Sequence, residues 1–261
     1  MPLRYDVGED VAVITLDRPE VLNAFDDELG RTLLDALQEA SSARAVRCVV
    51  LTGAGRAFSS GEDLSALSES YSKGEPPELG RVLSQRYNPL IRTIRTLHKP
   101  IIAAVNGVAA GAGASIVLAC DERIASDRAK LSFSFAKVGL VPDSGALWLL
   151  ARMVGTARAW EIVTTGRTIS AQEGADLGLW PRASGADDFG SVWRARAGEI
   201  ARGAPLALRL TKQLLAQSLE RTLDDQLEAE IEAQTEAGRS EDHLEGVRAF
   251  LDKRSPRFTG R

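Results

Sequence analysis

Histidine and cysteine are nearly absent: the 261 residues contain two of each. A histidine-rich metal centre is thereby all but excluded. A Ser-His-Asp arrangement would need His98 or His243 beside a serine, and there is no Gly-x-Ser-x-Gly elbow. Cys48 and Cys120 each lie in an apolar run and read as buried small hydrophobes; two thiols alone make no zinc site. No metal is expected. Basic charge is not in excess, with Lys+Arg 32 against Asp+Glu 36 and a net charge of −4, so the footprint of a nucleic-acid binder is missing. No apolar run reaches about 18 residues, so no membrane span is expected. Met1 to Asp10 is polar from the start and has no signal-peptide core, which points to a cytoplasmic protein. What remains, 44% hydrophobic and 26% charged, is ordinary globular composition. Any chemistry must fall mainly to carboxylates and backbone dipoles.

The first two thirds alternate strand-like and helix-like segments. Val11 to Thr15, Arg47 to Thr52, Ile101 to Val105 and Arg123 to Ala125 read as strands, the middle two as continuous apolar runs typical of buried parallel strands. Leu29, Leu33, Ala36, Leu37 and Ala40 recur at helical spacing behind Asp26 and Asp27, which suit a helix start. Residues 68 to 80, with Gly74, Pro76 and Pro77, read as a mobile excursion. The pattern is α/β. From about residue 146 the character turns helical. Gly155 and Gly166 are plausible helix stops, and Ser170-Ala-Gln-Glu173 reads as a capping box. Helices are then expected over 192–202, 205–219, 222–237 and 241–253. The stripe Leu223, Leu227, Ile231 is open to two readings, packing within the chain or a contact between subunits.

Two glycine-bearing loops follow strands: Gly53-Ala-Gly-Arg-Ala-Phe-Ser-Ser-Gly61 and Asn106-Gly-Val-Ala-Ala-Gly-Ala-Gly113. The second leads into Ala114 to Ala119, a buried helix by its composition. The first N–H groups of a helix lack internal acceptors and carry positive partial charge. The Ala112 N–H would therefore face something electron-rich, and Ser60-Gly-Glu-Asp63 could supply a second N–H to complete an oxyanion hole. Tight turns alone would also explain these glycines. Phosphate-binding motifs fail on spacing: Phe58 and Ile116 stand where Gly-x-Gly-x-x-Gly needs its third glycine, and neither loop contains Gly-Lys-Ser or Gly-Lys-Thr.

Arg18-Pro-Glu-Val-Leu-Asn-Ala24, Phe58-Ser-Ser-Gly-Glu-Asp-Leu64 and Lys99-Pro-Ile-Ile-Ala-Ala-Val-Asn-Gly-Val-Ala-Ala-Gly-Ala-Gly113 occur in order. Cys120-Asp121, Gly139-Leu-Val-Pro-Asp-Ser-Gly145 and Ala249-Phe-Leu-Asp-Lys-Arg254 follow. Together they resemble the enoyl-CoA hydratase/isomerase (crotonase) family over nearly the whole chain. The resemblance implies a spiral of ββα units over residues 1–190 carrying an acyl-CoA site. It also implies a helical oligomerisation region over 191–261, and homotrimers or hexamers built from two trimers. The substrate would be an acyl-CoA thioester, with CoA as part of the substrate and no separate cofactor. Its carbonyl would accept the N–H groups of Glu62 and Ala112. Asn23, Ala24, Ser60 and Gly61 would lie along the CoA moiety, with Phe250 and Lys253 near its adenine end.

Hydratases of the family use two glutamates. Those positions fall on Ser115 and Phe135, neither of which is an acid or base near neutral pH, so water addition is disfavoured. The remaining carboxylate is Asp143, which reads either as a helix cap or as a working acid. In the family this position carries the working aspartate of some isomerases and a dehalogenase. Leu140-Val-Pro-Asp-Ser-Gly145 resembles one subgroup in particular, the isomerases that convert ring-1,2-epoxyphenylacetyl-CoA to oxepin-CoA in phenylacetate degradation. This implies an isomerase acting on that epoxide, or shifting 3-enoyl-CoA to 2-enoyl-CoA, with Asp143 carrying the proton. Hydration, nucleophilic attack by Asp143, and a non-catalytic acyl-CoA-binding subunit are the alternatives. Residues 64 to 90 and 131 to 150 are expected to line the pocket.

Overall fold

Strand β2 (Val11–Leu16) pairs antiparallel with β1 (Leu3–Gly8) and parallel with β3 (Cys48–Gly53). Beyond β3 come β5 (Ile101–Val105) and β7 (Glu122–Ala125), both parallel, giving a five-stranded sheet in the order β1-β2-β3-β5-β7. This is a computed structural model, and it describes residues 1–67, 71–75, 77–181 and 183–261.

The period-two geometry of the strands explains why β5 is apolar throughout and β3 is apolar from Cys48 to Leu51. Val49, Leu51, Ile101, Ala103 and Val105 face the main core with α1 (Asp27–Ser42). Cys48, Val50, Ile102 and Ala104 face the other side, where Phe189, Trp193, Ala197 and Ala201 of α7 (Phe189–Ala201) cover them. A strand buried on both faces has no polar alternation to show. Both cysteines are free and buried, and burial pushes each thiol up to about 12.

A second sheet of three-residue strands stands beside the first, in the order β4 (Ala57–Ser59), β6 (Val108–Ala110), β8 (Lys130–Ser132), β9 (Thr168–Ser170). Each of β4 and β6 therefore follows a long strand of the first sheet by a tight turn. Helix α2 is a continuous run of three pieces: Leu79–Val82, a π-helical turn Leu83–Tyr87, and Asn88–Thr96. The excursion expected over 68 to 80 lies partly outside the described residues, and its end at Leu79 is already helical.

Helix α3 (Ala112–Ala119) is buried at all eight positions. Then follow α4 (Ala146–Val154), stopped at Gly155, and α5 (Thr156–Thr165), stopped at a left-handed Gly166. At α6 (Ala171–Asp176) the Ser170 hydroxyl accepts the Glu173 N–H at 3.2 Å. The reciprocal arm of the capping box is replaced, because the Glu173 carboxylate pairs with Arg167.

The boundary expected between 190 and 191 falls inside α7. The core of the main sheet thus extends to Ala201, and the outlying helices begin with α8 (Pro205–Gln217), α9 (Leu223–Gly238) and α10 (Glu241–Leu251). Leu223, Leu227 and Ile231 are 73%, 48% and 59% exposed, so their stripe does not pack within the chain. Among the described residues no helix is long and apolar enough to cross a membrane.

Candidate active site

The loop after β4 is built from both sides. Arg18 reaches the Ala24 carbonyl at 2.6 Å, Asp26 at 3.0 Å and Asp63 at 3.2 Å. The Asn23 amide nitrogen donates to the Ala54 and Ala57 carbonyls at 3.0 and 2.9 Å, while its oxygen accepts the Arg18 N–H at 2.9 Å. Phe25 forms a parallel bridge to Glu62 in which the Phe25 N–H donates to Gly61 and the Asp63 N–H donates to Phe25. In such a bridge the N–H of the central residue points to the opposite side, so the Glu62 N–H is turned away from Phe25.

The N-terminus of α3 meets this loop closely. A Cβ on Gly113 would lie 2.7 Å from the Ser59 carbonyl oxygen, and only glycine permits that approach. Gly61, at φ +90°, comes as near on its side: a Cβ there would lie 2.8 Å from the Ala110 oxygen and 3.4 Å from the Ala112 nitrogen. Ala112 opens α3, so its N–H has no acceptor within the helix. Neither the Glu62 nor the Ala112 N–H finds an acceptor among the described residues.

Both residues line one cavity of about 240 Å³ together with Asp143. Ser60, Leu64, Tyr71, Val82, Tyr87, Phe135, Val138 and Leu140 are among its other walls. The lining falls largely within the stretches 64 to 90 and 131 to 150.

Asp143 is not a helix cap. The N-cap of α4 is Gly145 and no side chain caps it; the Asp143 main-chain carbonyl instead accepts the Ala146 N–H at 2.9 Å. The carboxylate accepts the Ser144 hydroxyl at 2.9 Å. Burial holds the Asp143 carboxyl above the ordinary carboxylate range; the Ser144 hydrogen bond opposes that, and the negative charge of Glu62 adds to it. Ser144 itself is buried and sits at φ +52°, a conformation rare for a residue with a Cβ. Ser115, fully buried, donates to the Gly111 and Asp143 carbonyls at 3.3 and 3.2 Å, so its hydroxyl braces the loop from behind.

Asp63 is nine-tenths buried, and the Ser65 hydroxyl and Arg18 hold its carboxyl below the usual range. It fixes the loop. The Asn23 side chain is buried and engaged by three loop partners. Ala24 is also buried. Ser60 lines the cavity, and Gly61 shapes it through its backbone. Phe250 and Lys253 are not brought to the cavity within one chain. Phe250, 81% exposed, lines a separate groove with Leu206 and Phe258. Arg86 and Tyr87 are the residues that sequence reasoning missed. The Glu62 carboxylate accepts Arg86 Nη1 at 2.9 and 2.7 Å and the Tyr87 hydroxyl at 2.5 Å. Val82, Leu83, Tyr87, Leu90, Ile91 and Ile94 form an apolar stripe at helical spacing, which is a signal for the helix and for Tyr87 but not for Arg86.

The model of one family, enoyl-CoA hydratase/isomerase, matches residues 6–261. The chain belongs to the enoyl-CoA hydratase/isomerase family. It is 44% identical over 259 residues to a Rhodobacter capsulatus protein described as a "probable enoyl-CoA hydratase", covering 99% of this chain and 98% of that one. It is 42% identical over 255 residues to the 1,2-epoxyphenylacetyl-CoA isomerase of Escherichia coli, covering 98% and 97%. The crystal structure of an enoyl-CoA hydratase from Bacillus anthracis superposes with a TM-score of 0.94 at 32% identity, covering all of both chains. This enoyl-CoA hydratase/isomerase family member therefore has the crotonase fold and is an enzyme acting on CoA thioesters.

Proposed function

We propose that this enzyme is a CoA-thioester isomerase in which Asp143 carries the proton. The observation that supports this reading is the state of the two carboxylates lining the cavity. Glu62 is gripped by a guanidinium, whereas among the described residues the Asp143 carboxylate is bonded by the Ser144 hydroxyl alone, and its pKa is raised. Positions 115 and 135 hold Ser and Phe, so neither of the two positions matched to the hydratase glutamates carries an acid.

The thioester carbonyl accepts the N–H groups of Glu62 and Ala112. As the C2 proton leaves, negative charge grows on the carbonyl oxygen, and each preorganised donor contributes about 3–4 kcal/mol at that stage. With a 3-enoyl-CoA, Asp143 takes the C2 proton and returns it to C4, leaving the double bond between C2 and C3. A base held partly out of water in this cavity keeps its proton more tightly and is stronger for it. With a ring-1,2-epoxyphenylacetyl-CoA, the carbon–carbon bond of the epoxide breaks while both carbon–oxygen bonds stay, giving the seven-membered oxepin, and Asp143 moves the C2 proton to a ring carbon, so that the double bonds shift and the mass is unchanged. The kinship to the 1,2-epoxyphenylacetyl-CoA isomerase favours this second substrate.

Mass spectrometry of products from the epoxide thioester beside a 3-enoyl-CoA tests the reading. Rearranged isomers of unchanged mass are expected. A mass gain of one water from crotonyl-CoA at comparable turnover would replace the isomerase with a hydratase. The same reading places CoA along Ser60 and Gly61 with its adenine end toward Phe250 and Lys253, and puts the enzyme in the cytoplasm as a trimer or a pair of trimers.

A further inference from the structure

Glu62 enters the proposed reaction through its main-chain N–H, yet its side chain is the most firmly held acid of the cavity wall. Besides the two contacts to Glu62, Arg86 bonds Asp27 at the start of α1 through Nη2. The Arg86 side chain is 10% exposed, and α1 leaves space for its stem: a Cβ on Gly30 would lie 2.5 Å from Arg86 Cγ. Its Nε is buried and has no partner among the described residues. Burying a guanidinium with one donor unpaired is a poor route to stability. Arg86 and Tyr87 also occupy the π-turn of α2, and such turns are frequent at functional sites. The same helix supplies Leu79, Val82 and Leu83 to the cavity wall. One element thus touches both the acyl pocket and the side chain of the residue whose N–H faces the carbonyl.

We infer that Arg86 is a positioning residue: through the Glu62 carboxylate it aims the Glu62 N–H, and it ties that aim to the fit of the acyl group against α2. This rests on the reading of Glu62 as a thioester-carbonyl donor. The Phe25 bridge holds the main chain of Glu62 and the Arg86–Tyr87 grip holds its side chain, so the direction of the N–H is set from both ends. An acyl group that packs well on Leu79, Val82 and Leu83 leaves α2 in place. A poor fit displaces α2, and Arg86 carries the displacement to the donor. Discrimination among acyl groups then appears in kcat more than in KM.

The test compares Arg86→Met, Arg86→Lys, Glu62→Gln and Asp143→Asn. One readout is the infrared carbonyl stretch of a bound saturated acyl-CoA labelled with carbon-13 at the thioester; the other is kcat and KM on 3-enoyl-CoAs of several lengths. In the wild type the stretch falls on binding, because two N–H groups polarise the carbonyl. Arg86→Met loses most of that shift and about tenfold to a hundredfold in kcat, short of removing a donor outright, with KM nearly unchanged. Arg86→Lys recovers part of both, and Glu62→Gln, which keeps an oxygen for Tyr87, lies between. Asp143→Asn keeps the carbonyl shift while losing turnover, so failure of the base assignment is read separately from failure of the clamp. The inference is overturned if Arg86→Met keeps the shift and a kcat within twofold of wild type, or loses only KM. Should Arg86→Met fail to fold, the same result in Glu62→Gln and Arg86→Lys overturns it. A wild type without any shift overturns both the carbonyl reading and the clamp.

Discussion

At the scale of the residue, Asp143 is pulled in two directions. Burial and the charge of Glu62 raise its pKa, and the Ser144 hydroxyl lowers it. As a base it must be ionised, so kcat/KM should fall on the acid side along a limb displaced upward from the ordinary carboxylate range. Ser144→Ala removes the lowering partner and should move that limb to higher pH; a pH–rate profile reads the shift. Asp143→Asn should reduce turnover by about 10³-fold or more, for want of the proton carrier, while acyl-CoA binding survives. The same substitution should stabilise the fold. The native state holds the Asp143 proton more tightly than the unfolded chain does, so unfolding free energy drops as pH rises through that interval, and at neutral pH the buried charge is a net cost. A Tm higher by about 1–3 °C at pH 7 is expected for Asp143→Asn, with the gain vanishing below pH 4. A Tm below wild type at pH 7 would mean that the carboxylate is a structural partner after all.

At the scale of the element, the site depends on how closely α3 approaches the loop after β4. Gly113→Ala would drive a Cβ against the Ser59 carbonyl and push the N-terminus of α3 outward. It should cost about 1–3 kcal/mol of stability and about 10²-fold in kcat by misplacing a donor; urea melts and initial rates check the two losses separately. The long elements were legible in the amino-acid order. Ile101 to Val105 was found to the residue, and the ends of α4 and α5 were marked by Gly155 and Gly166. The strands of the second sheet were not, because three residues are too few to display a period and their partners lie far along the chain. The loops that hold Glu62 and Ala112 were readable from glycine placement. Arg86 was not. A lone arginine on an amphipathic helix reads as a solvated face, and its burial depends on Glu62, Asp27 and the gap at Gly30. Asp143 read equally well as a helix cap until the backbone showed Gly145 in that place.

At the scale of the whole molecule, the stripe of α9 is exposed and Phe250 lines a groove other than the cavity. Leu223, Leu227 and Ile231 lie open on one chain, and Leu215 of α8 and Leu219 just beyond its end are also exposed. If these faces join subunits as proposed, Leu227→Glu with Ile231→Glu should shift the assembly toward monomer in light scattering and weaken acyl-CoA binding. A double variant that stays assembled would place the subunit contact elsewhere. The two candidate carbonyl donors, by contrast, belong to the peptide backbone. Exchange of side chains at positions 62 and 112 cannot delete them; only a proline or an ester linkage in place of the amide would. A gene drifting by point mutation can therefore discard one proton carrier and acquire another while the polarising apparatus persists. Phe135, which lines the cavity, is where a new carboxylate could be introduced by exchange of one residue, whereas Ser115 is buried and braces the loop, so a glutamate there would require the surrounding loop to repack.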